Sequence, residues 1–328
     1  MISIGQSGDL AHLGEFVWSS RGFSIKSISG RGAAENRSMT HARQFRNLAG
    51  RKFMVGVGAQ KAGTTWLFDY LGRHPDVAMS PIKELHYFDQ IFRPELCGMW
   101  ERDFNRQTSD HINLLAGGKT ASISDLQYLI DRVRMNFDPS CYLEYFDRLA
   151  THGRPVVGEI TPSYCLLPDQ GFVEMRKSIE RGGADPRIVF VMRDPVQRFW
   201  SQCRFSVGSG ASQRSVDQAY EEALNDPNFV ERTRYDWTIA RILNAFSREE
   251  VLFLFYEDLF SRRSSERLCQ FLQIKHVAPD AGRRLHVSVE APLNESRRRQ
   301  LRAMFEPVYD FVGKQFSGSV PAQWQDAP

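Results

Sequence analysis

Apolar residues in this chain fall into short unbroken runs, separated by stretches where they recur every three or four positions. The runs are Phe53, Met54, Val55 and Val57; 155–160; Ile188 to Met192; and Val251 to Phe255. Runs of this length suit strands buried on both faces of a parallel sheet. A further strand is expected around Val77. Helical spacing covers 63–74, 140–152, 172–181, 215–224, 232–246, 263–272 and 295–316. In 140–152, for instance, Tyr142, Leu143, Tyr145, Phe146 and Leu149 share one face. Strands alternating with helices predict an α/β fold, a P-loop-like central parallel sheet with helices on both faces. Segment 90–136 has no clear period and reads as a less regular, substrate-side insertion. No repeat of 20–50 residues is visible.

The run at 53–57 ends in Gly58, and a turn carrying Lys61 and Gly63 leads to Thr64, Thr65 and Trp66, which open a helix. A strand, a glycine-containing turn and a helix start make an anion cradle. Unpaired backbone N–H groups face the ligand and the helix dipole adds partial positive charge. Lys61 adds a full charge, and the two threonine hydroxyls can donate to phosphate or sulfate oxygens. The nucleotide-triphosphatase loop needs Lys directly after its second Gly. Here Lys61 precedes Gly63, with Ala62 between.

The second run with chemistry at its end is 188–192. Arg193 closes it, and Asp194–Pro195 signals a helix start. Ligands of open α/β sheets sit beyond the carboxyl ends of strands, so Arg193 is placed to meet an anion. Ser201 follows about two helical turns later. The plainer alternatives are an ordinary strand-to-helix turn for the first stretch and a surface-paired arginine for the second.

Taken together, 60–67 and 187–201 resemble the 5′-phosphosulfate loop and the 3′-phosphate motif of sulfotransferases that use 3′-phosphoadenosine 5′-phosphosulfate (PAPS). The resemblance spans roughly 52–316 and implies the sulfotransferase fold. It implies transfer of a sulfuryl group from PAPS to a hydroxyl or amine, releasing PAP. Lys61 would neutralise the bridging oxygen, and the backbone of Ala62, Gly63, Thr64 and Thr65 would hold the 5′-phosphate. Arg193 and Ser201 would hold the 3′-phosphate. No metal is expected, since Lys61 stands where a cation would act.

Lys83–Glu84–Leu85–His86–Tyr87–Phe88 resembles the K-E-x-H-F-F segment of heparan sulfate and related glycan sulfotransferases. That likeness implies a carbohydrate-like or other small-molecule acceptor and makes Glu84 the general base, flanked by Lys83 and His86. A carboxylate in reach of the acceptor hydroxyl can take its proton as the oxygen attacks sulfur. The plainer reading pairs Glu84 with Lys83 or Arg93 and packs His86 in the core. Gly158–Glu159–Ile160–Thr161–Pro162 matches the family's G-E-K-T-P except for Ile160 in place of Lys. Glu159 is left to orient Lys61, His86 or the acceptor, or to cap a turn. Trp66 stands where cytosolic relatives stack an indole on adenine, though a core Trp on the first helix fits equally. Tyr235 weakly resembles a cofactor-side tyrosine, 286–293 resembles the closing loop only loosely, and Arg297–Arg299 reads as a solvated helix face.

The remaining features bound the picture. The chain has 328 residues, 42% hydrophobic and 12% aromatic, enough for one enzyme-sized core. A net charge of +3 implies no nucleic-acid partner. The five cysteines (Cys97, Cys141, Cys165, Cys203, Cys269) lack metal-ligand spacing and suit free thiols in a reducing cytoplasm. No apolar run is long enough to span a membrane. Residues 1–50, rich in Gly, Ser and Arg, read as a disordered tail, with the enzyme domain at 51–318 and a short tail at 319–328. Two other classes stay open: a kinase with a variant P-loop, and a non-catalytic PAPS- or PAP-binding protein.

Overall fold

The apolar runs lie side by side. The computed structural model describes residues 45–96, 109, 113, 123–135, 137–208, 215–280 and 291–324. Among them, five strands form one sheet: β1 (Lys52–Gly58), β2 (Val77–Met79), β3 (Val156–Ile160), β4 (Asp185–Met192) and β5 (Val251–Phe255). Their order is β2-β3-β1-β4-β5. Every pairing is parallel, and helices flank the sheet on both faces. Parallel strands covered on both sides have no wet face, which is why they read as unbroken apolar runs. Phe53, Met54, Val55, Val57 and the whole of β3 are buried. β3 lies close against β1, because a Cβ on Gly158 would come within 2.4 Å of the Met54 carbonyl oxygen.

This order sets the site. From β1 the chain goes to β2 and β3 on one side, then crosses back over β1 to β4 and β5 on the other. A crevice opens at such a reversal, beyond the carboxyl ends of the strands. The residues that leave those ends are the 59–63 loop after β1, Thr161 after β3, Arg193 after β4 and Tyr256 after β5.

Most helices stand where the spacing predicts, and the exceptions have physical causes. The stretch 295–316 is two helices, Glu295–Met304 and Glu306–Gln315, broken at Phe305. Pro307 has no N–H to continue the first ladder, so a new helix starts there with Pro in its first turn. A six-residue helix, Tyr87–Phe92, escaped notice because it is too short to show a period. Ile123–Met135, within the stretch read as irregular, is also helical, with apolar and polar residues interleaved. Packing begins before residue 51: Leu48 is buried, and the Asp147 carboxylate accepts the N–H groups of Asn47 and Leu48 at 2.8 and 3.0 Å. Trp324, in the stretch read as a C-terminal tail, is buried against Phe255 and Tyr309. A single Trp in a polar stretch carries no periodicity to reveal this. The rest of the two expected tails, 1–44 and 325–328, lies outside the described residues.

Cys141, Cys165, Cys203 and Cys269 are buried cysteines outside any disulfide; Cys97 lies outside the described residues. No described helix is long and apolar enough to cross a membrane.

Candidate active site

The loop after β1 is built around two left-handed residues, Lys61 (φ 68) and Gly63 (φ 84). Gly63 is the N-cap of helix Thr64–Gly72 and offers no side-chain cap. Glycine suits this left-handed position, and a Cβ there would also press on the tip of Leu259 at 2.6 Å and the Tyr256 ring at 3.1 Å. The first intrahelical bond runs from Leu67 N–H to the Gly63 carbonyl at 3.1 Å. The N–H groups of Thr64, Thr65 and Trp66 therefore have no intrahelical acceptor and face the crevice end of the helix. Of the backbone donors expected from 62–65, one is already used: Ala62 N–H bonds the Ala59 carbonyl at 3.1 Å. The donor set for an anion begins at Gly63.

Two distant motifs meet here. Arg193 Nη1 donates to the Lys61 carbonyl at 3.1 Å, across 132 residues of sequence. The Arg193 guanidinium lies over the Tyr256 ring at 4.4 Å. Tyr235 fixes its backbone by donating to the Arg193 carbonyl at 2.9 Å. Ser201 is buried on the same helix as Arg198, Pro195–Gly208. Arg198 is wholly buried and two of its guanidinium nitrogens, Nε and Nη1, have no hydrogen-bond partner among the described residues. Lys61 Nζ rests 3.8 Å from the centre of the half-exposed Phe205 ring. Burial, and then the charges of Arg193, Arg198, Arg204 and Lys83, push its ammonium down to about 8. Lys83 is paired with Glu84, but among the described residues Lys61, Arg193 and Arg198 form no ion pair, and cations crowded in this way make a place for an anion.

Beside Arg193 a cavity of about 310 Å³ is lined by Gln197, Tyr256, Glu257 and Arg298. The three arginines read as a solvated face diverge: Arg297 pairs with Asp217, Arg298 reaches this cavity, and Arg299 is exposed. Trp66 stacks on Tyr70, 5.2 Å between ring centroids and 2° between planes, with Phe260 edge-on at 5.3 Å. It is nearly buried, yet it lines a second cavity of about 110 Å³ with Tyr70, His74 and Val277. Core packing and a cavity-lining edge coexist at this residue. The loop-like stretch 286–293 lies outside the described residues up to 290.

On the β3 side, the 84–86 turn presents the other chemistry. Glu84 (φ 63) and His86 (φ 55) are both left-handed, which non-glycine residues seldom are. The Glu84 carboxylate is about one-third exposed, pairs with Lys83 Nζ, and lies 3.7 Å from His86 Nε2. On its other side, His86 Nδ1 lies 2.8 Å from Asp89 Oδ2 and 3.1 Å from Ser163 Oγ. So Glu84 faces solvent, His86 sits beneath it, and the fully buried Asp89 stands behind. Arg93, the other expected partner of Glu84, instead bonds Glu95, Asn228 and the Leu166 carbonyl.

Glu159 touches neither Lys61 nor His86. Its buried carboxylate accepts the hydroxyls of Tyr142 and Thr161 at 2.7 Å each and of Tyr164 at 3.2 Å. Burial pushes it up to about 7 despite those three donors. Ile160 is fully buried in the core.

Asp89, Phe205 and Tyr256 went unnoticed in the sequence. Tyr256 follows a strand directly, and the carboxyl-end rule that singled out Arg193 applies to it equally. Nothing local marks Asp89 or Phe205.

A sulfotransferase family model matches residues 54–279, more than half of the chain. The chain belongs to the sulfotransferase family. A membrane-associated sulfotransferase, kil1, of Dictyostelium discoideum is 22% identical over 83% of this chain. The chain spans 66% of that relative's length. The crystal structure of a sulfotransferase from Alicyclobacillus acidocaldarius shares the fold, with a TM-score of 0.54 and 21% identity over 84% of this chain and 98% of that one. The family match takes in Lys61, Glu84, Glu159, Arg193 and Tyr256 and ends before Arg298.

Proposed function

We propose that this sulfotransferase moves a sulfuryl group from PAPS to a hydroxyl or amine of a carbohydrate-like or other small-molecule acceptor and releases PAP. The observation that carries this is the Arg193–Lys61 bond, which ties the loop after β1 to the end of β4 as one cationic unit. PAPS has an anion at each end of its nucleotide, and this unit offers a donor set for each. The N–H groups of Gly63 to Trp66 would take the 5′-phosphate, and Arg193 with Ser201 the 3′-phosphate. Lys61 would leave the Phe205 ring and hold the bridging oxygen, where charge develops as the sulfur–oxygen bond to phosphate breaks. The new bond forms from acceptor oxygen to sulfur, and Glu84 would take the acceptor proton. His86, between Glu84 and Asp89, would steady that carboxylate. Trp66 would offer its free edge to adenine.

Among the described residues no group of His, Cys, Asp or Glu could hold a metal ion, and the proposed chemistry needs none. The free, buried thiols favour a cytoplasmic compartment as part of this proposal.

Thermal stabilisation by PAP against AMP tests the donor site. A ligand at a hundred times its dissociation constant adds roughly 2.7 kcal/mol. Equal responses to PAP and AMP would remove Arg193 from a 3′-phosphate role. Incubation of an oligosaccharide panel with PAPS, read for the mass gain of one sulfuryl group, tests transfer. A mass gain with ATP in place of PAPS, lost to EDTA and restored by magnesium, would point to the kinase alternative.

A further inference from the structure

The 84–89 turn carries two left-handed non-glycine residues, a conformation that persists only where surroundings enforce it. The enforcing contacts come from one place, the last residue of β3 and the segment that follows it. Glu84 N–H bonds the Ile160 carbonyl at 3.1 Å, and Ser163 Oγ donates to Asp89. The Tyr164 phenol oxygen accepts the N–H groups of Tyr87 and Phe88 at 3.0 and 3.5 Å. These are the first N–H groups of helix Tyr87–Phe92, whose N-cap, His86, offers no side-chain cap of its own. Tyr164 thus caps that helix from 77 residues away. Its own proton goes to Glu159, at 3.2 Å.

We infer that Glu159 and Tyr164 are positioning residues for the proposed base: Glu159 aims the Tyr164 phenol, and the phenol pins the turn that holds Glu84 against His86. This rests on the function proposed above. Neither residue touches the crevice, as both are fully buried. A phenol rotates freely about its C–O bond and can donate or accept. An acceptor as strong as a carboxylate turns the Tyr164 hydrogen toward Glu159 and leaves its lone pairs for the two N–H groups. The invariance required is geometric: misplacing a reacting group by about 1 Å can cost about a hundredfold in rate.

Tyr142 supplies the control. Its hydroxyl bonds the same carboxylate, and more closely, at 2.7 Å, but it makes no hydrogen bond to the turn. Were the cluster only a prop for the core, Tyr142→Phe would do at least as much damage as Tyr164→Phe. The positioning role reverses that order. In the full chain saturated with PAP, Tyr164→Phe should speed deuterium exchange of the 84–89 peptide roughly fivefold or more, the worth of one buried hydrogen bond. Turnover of PAPS, with an oligosaccharide or with water as acceptor, should fall about tenfold to a hundredfold in kcat. PAP affinity and the KM for PAPS should stay within about twofold. Tyr142→Phe should leave the exchange and kcat nearly unchanged. Glu159→Gln, which still offers the phenol an acceptor, should be milder than Glu159→Leu. Equal effects of the two phenylalanine variants, or unchanged exchange at 84–89 in Tyr164→Phe, would overturn the inference. If the unmodified protein neither binds PAP nor turns over PAPS, the proposed function fails instead, and the exchange comparison still decides the positioning.

Discussion

The two sides of the crevice are held in shape by different means. On the β1–β4 side, the proposed anion cradle is made by local rules: a strand end, a glycine that tolerates φ 84, a helix start without a side-chain cap, and an arginine at the next strand's end. On the β3 side, both left-handed residues of the 84–86 turn are non-glycine, whereas the cradle has one of each, Lys61 and Gly63. The end of β3 and the segment after it impose the turn's conformation, through Ile160, Ser163 and Tyr164. The first region is encoded where it stands, whereas the second is encoded elsewhere and delivered by the fold. Substitutions should therefore act locally on the cradle and at a distance on the turn.

The largest effect expected is at the turn's exposed carboxylate. Glu84→Gln keeps the shape and the hydrogen-bonding capacity but cannot take a proton. Turnover should drop by roughly a hundred- to ten-thousandfold while PAP affinity holds. His86→Asn is the partner measurement. Near-normal turnover in Glu84→Gln, with loss in His86→Asn, would move the base to the imidazole, which the Asp89 carboxylate already orients at 2.8 Å.

On the cradle side, Lys61→Ala should cost roughly a hundred- to a thousandfold in turnover, the usual worth of one preorganised electrostatic contact. The melting temperature should hardly move, because the residue sits on a loop and its burial is a cost to the fold. A fully active Lys61→Ala enzyme would break the proposed chemistry of the whole cradle.

How much of this was legible follows the same division. The strands could be read because each is buried on both faces, and Val251–Phe255 stands at its expected bounds. Lys61, Gly63 and Arg193 could be singled out because their spacing from a strand end is itself the geometry. Glu84 and His86 could be named only by resemblance, and their mutual arrangement depends on Asp89, Ser163 and Tyr164, which no local pattern connects. Glu159 shows the limit. Its neighbours in sequence suggest a partner in the crevice, yet Tyr142 and Tyr164 surround it, brought there by a helix and a turn that spacing alone does not orient. Trp324 was missed for a related reason, since its burial depends wholly on distant rings.

A smaller effect should separate the two ends of the nucleotide. Arg193→Ala removes one charged donor, worth about 1.5–3 kcal/mol, so PAP should bind about tenfold to a hundredfold more weakly. AMP, which lacks the 3′-phosphate, should lose little. Isothermal titration with both ligands measures the contrast, and equal losses would mean that Arg193 serves only as a strut for Lys61 through their 3.1 Å bond.

The smallest effect is a pH dependence whose two halves have opposite signs. Lys61 is pushed from 10.5 down to about 8, by burial first and by neighbouring cations second. Between those values the unfolded chain holds a proton that the folded chain lacks, so this group makes the ligand-free protein more stable as pH rises through the window. Anion binding runs the other way. PAP favours the ammonium and must draw a proton with it above pH 8. Phosphate has finished titrating by pH 7.5, its second pKa being about 6. From pH 7.5 to 9, then, PAP affinity should fall by somewhat under tenfold, from Lys61 alone. Lys61→Arg keeps its charge throughout and should flatten the affinity profile. Lys61→Met should bind PAP weakly at every pH, also without a slope. A decline of the same steepness in Lys61→Met would assign the titration to another group and detach Lys61 from the bound anion.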